Sequence, residues 1–209
     1  TTFGQGFTST MIQEISAISA VINGGTYYQP HVVKEIKSQE DGSVLKTNEG
    51  NVLKQIVSSD VSEKIREYMG MSVTSGTSRK SKVQGYSMGG KTGTAEILST
   101  EEKDYLVSFI GFAPLDTPQV VVYVVVDRPN VEEQADSSYA QYIAQAILDE
   151  ILPYMNIYPD EETEETTKLW DGFKGVLKLD DSEVEVNEPI VQTEGSETGT
   201  DNAQDIEVV

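Results

Sequence analysis

Cysteine is absent from the 209-residue sequence, which excludes a disulfide framework and a thiolate metal site. Histidine occurs once, as His31, and a single copy argues against a His cluster or a His-based triad. It follows Pro30 at the start of an extended stretch and reads as structural. Long apolar runs are lacking too. The longest, VVVYVVV at 120–126, is far short of the roughly 20 residues that span a bilayer. Positive charge is scarce, with 15 Lys and Arg against 35 Asp and Glu for a net of −20, and this balance disfavours nucleic acid as a partner. Hydrophobic residues make up only 37%, so part of the chain is expected to bury little.

The acidity is uneven. From Asp160 onward there are 16 acidic and 3 basic residues, a net of −13, which leaves 19 acidic and 12 basic residues, a net of −7, in the first 159. The segments PDEETEETTK and VQTEGSETGTDNAQ have few aromatics and no apolar periodicity, so residues 158–209 read as an acidic, largely disordered tail. Within it, LWDGFKGVLKLDD has the pattern of a small hairpin around Asp171-Gly172, and Trp170 and Phe173 are the natural anchors if the tail docks on a partner.

The first 157 residues carry clear periodicities. TSTMIQEISAISAVINGG predicts a helix opened by a capping box of Thr10 and Gln13, with Ile12, Ile15, Ile18 and Ile22 on one face and Asn23-Gly24-Gly25 as its stop. HVVKEI and SVLK predict two strands joined through Asp41-Gly42. A second helix is expected over 60–71, capped by Ser59, with Val61, Ile65, Tyr68 and Met69 buried. After a polar loop, KTGTAEIL, YLVSFIGFA and QVVVYVVVD predict three strands. Their short polar connections favour an antiparallel meander. A helix over 138–152, with a stripe of Ile143, Ala144, Ile147, Leu148 and Ile151, closes the domain before Pro153 and covers one face of the sheet.

The stretch GYSMGGKTGT at 85–94 has two readings. From Gly85 it is G-x-x-x-x-G-K-T, a phosphate-binding loop. VVVYVVVD then imitates the strand and aspartate that hold magnesium. That loop needs a buried strand before it and a helix after it, so that N–H groups and the helix dipole converge on phosphates. SRKSKVQ upstream is too polar for such a strand, and Gly93 falls where the helix would start. From Lys91 the stretch is K-T-G-T, one wall of the site of an enzyme that acylates itself on serine.

The ordered surroundings favour the second reading. GQGFTSTMIQEISAISAVINGG resembles, without a gap, the segment that precedes the lysine motif in class B penicillin-binding proteins. SGT at 75–77, GGKTGTAE, FIGFAP, VVVYVVVDRP and the final helix follow in that family's order, so the resemblance covers roughly residues 1 to 157. Met11 is a small departure, because the family usually has proline there. The resemblance implies an α+β fold, an antiparallel sheet with helices packed on its faces, of which this chain holds the C-terminal portion. It implies a peptidoglycan D,D-transpeptidase acting on stem peptides that end in D-Ala-D-Ala, trapped by β-lactams and needing no cofactor. A β-lactamase or β-lactam sensor of the same superfamily is the alternative.

By this resemblance the lysine strand borders the sheet and receives the substrate as an added strand. Lys91 holds positive charge near the nucleophile and the substrate carboxylate. Thr92 and Thr94 hydrogen-bond that carboxylate, the N–H of Thr94 forms half of the oxyanion hole, and Gly93 keeps the cleft open. Glycines at 89, 90 and 93 are expected to let the ligand backbone approach. Strand alternation puts Lys91 with Gly93 on one face and Thr92 with Thr94 on the other, so a twist or bulge at Gly93 is expected to reconcile these roles.

The family's nucleophile motif S-x-x-K and its S-x-N motif lie upstream of the GQG turn, at which this sequence opens. Ser43–Lys46 matches S-x-x-K, but it follows a turn in a strand-like stretch, where serine and lysine face opposite sides. TDN at 200–202 lies in the acidic tail and reads as chance. The chain therefore reads as part of a longer protein on the extracytoplasmic face of a bacterial membrane. Its expected partners are the N-terminal remainder of the parent, which would carry the anchor, and other cell-wall synthesis proteins. The outer edge of VVVYVVV is expected to be bare without that remainder. Incubated alone with a fluorescent penicillin, these 209 residues are expected to take no covalent label, and clear labelling would overturn this reading of the motifs.

Overall fold

A computed structural model describes residues 7–98, 103–163 and 207–208. The hairpin expected around Asp171-Gly172 and the anchors Trp170 and Phe173 lie outside the described residues. The first helix, α1 (Met11–Ile22), opens with the expected capping box: the Thr10 side chain accepts from Gln13 N–H while the Gln13 side chain accepts from Thr10 N–H at 2.9 Å. Ile15 and Ile22 are buried and Ile18 is partly so, whereas Ile12 at the helix start is exposed.

Two small ribbons follow. β1 (Thr26–Tyr28) pairs antiparallel with β4 (Val52–Gln55), and β2 (Glu35–Lys37) pairs antiparallel with β3 (Val44–Thr47). The expected strand HVVKEI is thus shorter and shifted toward its end, and the pairing of β1 with β4 was not foreseen. Neither partner has the alternation that marks a half-buried strand, because β4 is exposed along its whole length. The turn between β2 and β3 forms as expected, with Gly42 at φ 73°. There the Asp41 carboxylate accepts from both Ser43 N–H and Ser43 O–H, which ties down the serine of the S-x-x-K match outside any helix.

Helix α2 (Ser59–Thr74) is longer than expected and is capped by Ser58, whose Oγ accepts from Val61 N–H at 3.4 Å. Its buried side is Ser62, Met69, Gly70 and Val73, with Ile65 half-buried. Val61 and Tyr68, expected in the stripe, are exposed. Ser62 Oγ accepts from Gly24 N–H just beyond α1 at 2.9 Å, and a Cβ on Gly70 would lie 2.8 Å from Leu115 Cδ2, so tight packing selects a face that hydrophobicity alone does not show.

A three-stranded antiparallel meander forms the body: β5 (Gly89–Ile97), β6 (Asp104–Ala113) and β7 (Val120–Asp127). The central strand β6 is buried on both faces. Phe109, Val120, Val122 and Val124 pack with Ala140, Ala144, Leu148 and Leu152 of α3 (Ser138–Tyr154). Ile110, Phe112 and Val121 pack on the opposite face with Ile15, Ile22 and Met69 of α1 and α2. This is the expected α+β arrangement, with helices on both faces of an antiparallel sheet. In α3, Ile143 and Ile147 are exposed, while Ala140, Gln141, Ala144, Leu148 and Leu152 face inward. The buried stripe is therefore rotated from the one that apolarity alone predicts. Pro153 sits within the last turn, where its missing N–H removes a single helical bond.

The outer edge of β7 departs from expectation. Glu207–Val208, β8, pairs parallel with Val120 and Val121. β5 stands at the other border, with β6 as its one strand neighbour among the described residues. Its glycines have internal occupants. A Cβ on Gly89 would lie 2.3 Å from Phe112 Cζ, and one on Gly90 would lie 2.4 Å from Phe109 Cζ. These two positions are open for core rings, not for a ligand backbone. The substitution Gly90→Ala is expected to destabilise the protein by about 1–3 kcal/mol through overpacking against Phe109, read as a lower midpoint in urea denaturation.

Candidate active site on the sheet border

The nine residues of β5 pair one-to-one with β6, from Gly89 opposite Phe112 to Ile97 opposite Asp104. No register shift occurs at Gly93, so of the twist or bulge expected there the bulge is absent. Regular alternation therefore separates the motif's side chains. Lys91 and Gly93 lie on the α1/α2 face with Ile110 and Ser108 opposite them, and Thr92 and Thr94 lie on the α3 face. A Cβ on Gly93 would meet Ser108 Oγ at 2.5 Å, so that glycine has a neighbour within the sheet as well as an open border.

Lys91 is exposed, and its Nζ donates to the carbonyl of Thr92 at 2.7 Å. Thr92 Oγ1 lies 3.3 Å from Thr77 Oγ1, which brings SGT at 75–77 beside the lysine motif. Thr94 Oγ1 donates to the carbonyl of Ala135 at 3.3 Å, in the loop that leads into α3. Two hydroxyls thus stand on one face of a strand that is at the sheet's border among the described residues, with an ammonium on the other face. Thr77 was not assigned a role from sequence. Its SGT triplet was visible, but only the return of the loop from α2 brings it to Thr92.

A second cluster anchors this end of α3. Asp136 accepts from Ser138 N–H at 2.8 Å and from Ser138 O–H at 2.6 Å, and Lys80 Nζ lies 3.9 Å away. The Ser138 hydroxyl, then its N–H, holds the Asp136 carboxyl below its ordinary value of 3.8. Lys80 adds to this and desolvation opposes it. On the α1/α2 face, burial pushes the Tyr123 phenol up, offset by Ser108 and reinforced by Glu14, so Tyr123 stays neutral at physiological pH.

A cavity of about 330 Å³ lies elsewhere, between α1 and the small ribbons, where Ser19, Asn23, Tyr28, His31 and Lys34 line it. Ser19 Oγ there is buried without a hydrogen-bond partner. This cavity holds none of the motif residues. The motif residues gather instead at the border of β5, a strand edge of the kind to which an extended peptide can add. The phosphate-loop reading fails on geometry, because Lys91 and Thr92 lie inside β5 and no helix begins after them.

The family profile for the penicillin binding protein transpeptidase domain matches residues 1–149. Stage V sporulation protein D of Bacillus subtilis is 38% identical over 179 residues, covering 84% of this chain and 28% of that protein. A peptidoglycan D,D-transpeptidase FtsI homolog of Mesostigma viride is 26% identical over 179 residues, covering 78% of this chain and 30% of its own length. Among solved structures, the apo transpeptidase domain of Burkholderia pseudomallei penicillin-binding protein 3 superposes with a TM-score of 0.62 at 26% identity. It covers 76% of this chain and 46% of that one. The chain spans less than a third of the length of these curated relatives. No helix among the described residues is long and apolar enough to cross a membrane.

The hydrogen bonds at Asp136 generate a pH dependence. Because its folded value is depressed, its contribution is complete above the ordinary carboxylate value of 3.8 and is lost as pH falls through the lower folded value. Asp136→Asn is expected to lower the melting temperature at neutral pH and to flatten its decline below that value, as measured by thermal denaturation across pH.

Proposed function

Because the chain belongs to the penicillin-binding protein transpeptidase family, we propose that its parent protein is a peptidoglycan D,D-transpeptidase and that the border of β5 receives the substrate. The observation that carries this reading is the position of K-T-G-T on a strand whose outer side has no strand neighbour among the described residues. Alternate residues of such a strand direct N–H and C=O groups outward, and an extended peptide satisfies them as an additional strand.

A ligand added to β5 lies in the plane of the sheet. Side chains from both faces then flank it, so Lys91 and the two threonines can serve one carboxylate without sharing a face. Thr92 and Thr94 donate hydroxyl protons to the terminal carboxylate of D-Ala-D-Ala, or to that of a β-lactam. Lys91 supplies positive charge from the other side, toward the nucleophile. The N–H of Thr94 is one donor of the oxyanion hole, where removal of a donor costs about 10²–10³ in rate.

The serine nucleophile and its base belong to the part of the parent outside this chain. The serine oxygen attacks the carbonyl of the penultimate D-alanine and its proton passes to the base. The C–N bond to the terminal D-alanine breaks as that amine takes up a proton, leaving an acyl-serine ester. An amine of a neighbouring strand then attacks the ester, forming the cross-link and releasing the serine. A β-lactam gives an analogous acyl-serine ester: its ring C–N bond breaks, the nitrogen takes up a proton and stays attached to the acyl group, and the ester is cleared slowly. On this reading the site lies on the extracytoplasmic side of a bacterial membrane, beside other cell-wall synthesis proteins, and relatives named for peptidoglycan transpeptidation support it. Relatives named as D,D-transpeptidases favour cross-linking over the β-lactamase alternative.

In the intact parent, Thr94→Val is expected to slow acylation by a fluorescent penicillin about 10–100-fold, the value of one hydrogen bond to a charged group. Stopped-flow labelling measures this, and an unchanged rate would remove Thr94 from the site.

A further inference from the structure

The turn that delivers β5, residues 82–88, has no regular secondary structure and is held by three other parts of the molecule. From α3, Gln145 Nε2 donates to the Lys82 carbonyl at 2.5 Å. From the β6–β7 connection, Leu115 N–H donates to Ser87 Oγ at 3.0 Å. The densest set comes from residues 157–161, just beyond α3. Tyr86 O–H donates to the Ile157 carbonyl at 3.1 Å, and the N–H groups of Asp160 and Glu161 both donate to the Gly85 carbonyl, at 2.9 and 3.0 Å. Gly85 has φ +84°, and a Cβ there would lie 3.2 Å from Pro159 Cβ.

Charge completes the set. The Asp160 carboxylate accepts from Ser87 N–H at 2.6 Å and from Ser87 O–H. Lys82 Nζ donates to the Tyr86 carbonyl at 2.5 Å and to Glu161 Oε2 at 2.7 Å, with the lysine side chain only 23% exposed. Ser87 is the hub: it binds Asp160 through two donors while its oxygen accepts from Leu115. Charge-assisted bonds of this kind hold geometry more firmly than neutral ones.

We propose that residues 157–161 form a strap, with Asp160 and Glu161 as positioning residues, that fixes turn 82–88 and so sets the angle at which β5 presents Lys91, Thr92 and Thr94. β5 has one strand neighbour among the described residues. Beside the packing of its glycines and the contacts of Thr92 with Thr77 and of Thr94 with Ala135, the turn at its start is the point at which the chain is anchored before the motif. Gly89 follows Ser87 by two residues and Lys91 by four, and a shift of the turn is carried directly into the motif. The proposal rests on the transpeptidase reading above. Misplacing a binding group by about 1 Å costs on the order of 10²-fold in rate, so a partial release is expected to cost about tenfold.

The test uses the full-length parent with Asp160→Ala, Ser87→Ala, the pair together, and Asp160→Asn, which keeps an acceptor for Ser87 N–H. Titration with a fluorescent penicillin gives the labelled fraction and the acylation rate constant separately. Each single alanine variant is expected to label completely but about tenfold more slowly, the pair no slower than the worse single variant, and Asp160→Asn in between. Ending the chain after Thr163 should keep the wild-type rate, and ending it after Ile157 should reproduce Asp160→Ala. Wild-type rates in Asp160→Ala and in the chain ending at Ile157 would overturn the proposal. A reduced labelled fraction that still reacts at the wild-type rate would do the same, because it marks a merely structural role. Hydrogen exchange on these variants reads the strap without penicillin: faster exchange confined to residues 82–97 is expected, and unchanged exchange sinks the proposal. A wild-type parent that takes no label counts against the transpeptidase reading alone, because the exchange result still decides the strap.

Discussion

Phe109 and Phe112 press their rings, from opposite faces of the central strand, into the space left by Gly90 and Gly89. Both phenylalanines are fully buried, and burying such a side chain is worth about 1.5–3 kcal/mol. The rings make a one-residue slip of β5 against β6 costly, because a slip would place side chains where the glycines now are. Register, in turn, determines which face each motif residue occupies. The site is thus set by core packing two residues before it begins.

That constraint places the motif residues along a border of the sheet, divided between its two faces. With β5 regular through Gly93, lysine and threonines stand on opposite faces, and only a ligand in the plane of the sheet meets both. The face toward α3 supplies neighbouring oxygens from Thr77 and Ala135, and the face toward α1 and α2 supplies the ammonium. The acidic residues just after α3 belong to the same design, because Asp160 and Glu161 hold the turn from which the border strand emerges.

Much of this was legible before any coordinates. The capping box of Thr10 and Gln13 and the meander follow from local patterns with clear physical causes, and helices on both faces follow from the family resemblance. Hydrophobic stripes were less legible. Val61, Tyr68, Ile143 and Ile147 look like core residues but are exposed, while Ser62, Gly70 and Gln141 are buried. Close approach of helices selects small residues, and a buried amide such as Gln141 is acceptable because it accepts from Lys80 N–H. The pairing of β1 with β4 was not readable because both strands are short, β1 uniformly half-buried and β4 uniformly exposed, so burial leaves no alternation to detect.

The sequence by itself determined the chemistry on offer: a lysine, two hydroxyls and glycines in K-T-G-T, within a chain lacking cysteine and nearly lacking histidine. It also determined the order of elements, because capping, turn and alternation signals act over a few neighbouring residues. Tertiary structure alone decided the rest. It left β5 at the border of the sheet among the described residues, kept Gly93 in regular register, placed Thr77 beside Thr92, and brought an acidic stretch onto Gly85 and Ser87. These contacts join residues tens of positions apart, and their partners are chosen by packing of the whole sheet and its helices, which no local pattern encodes.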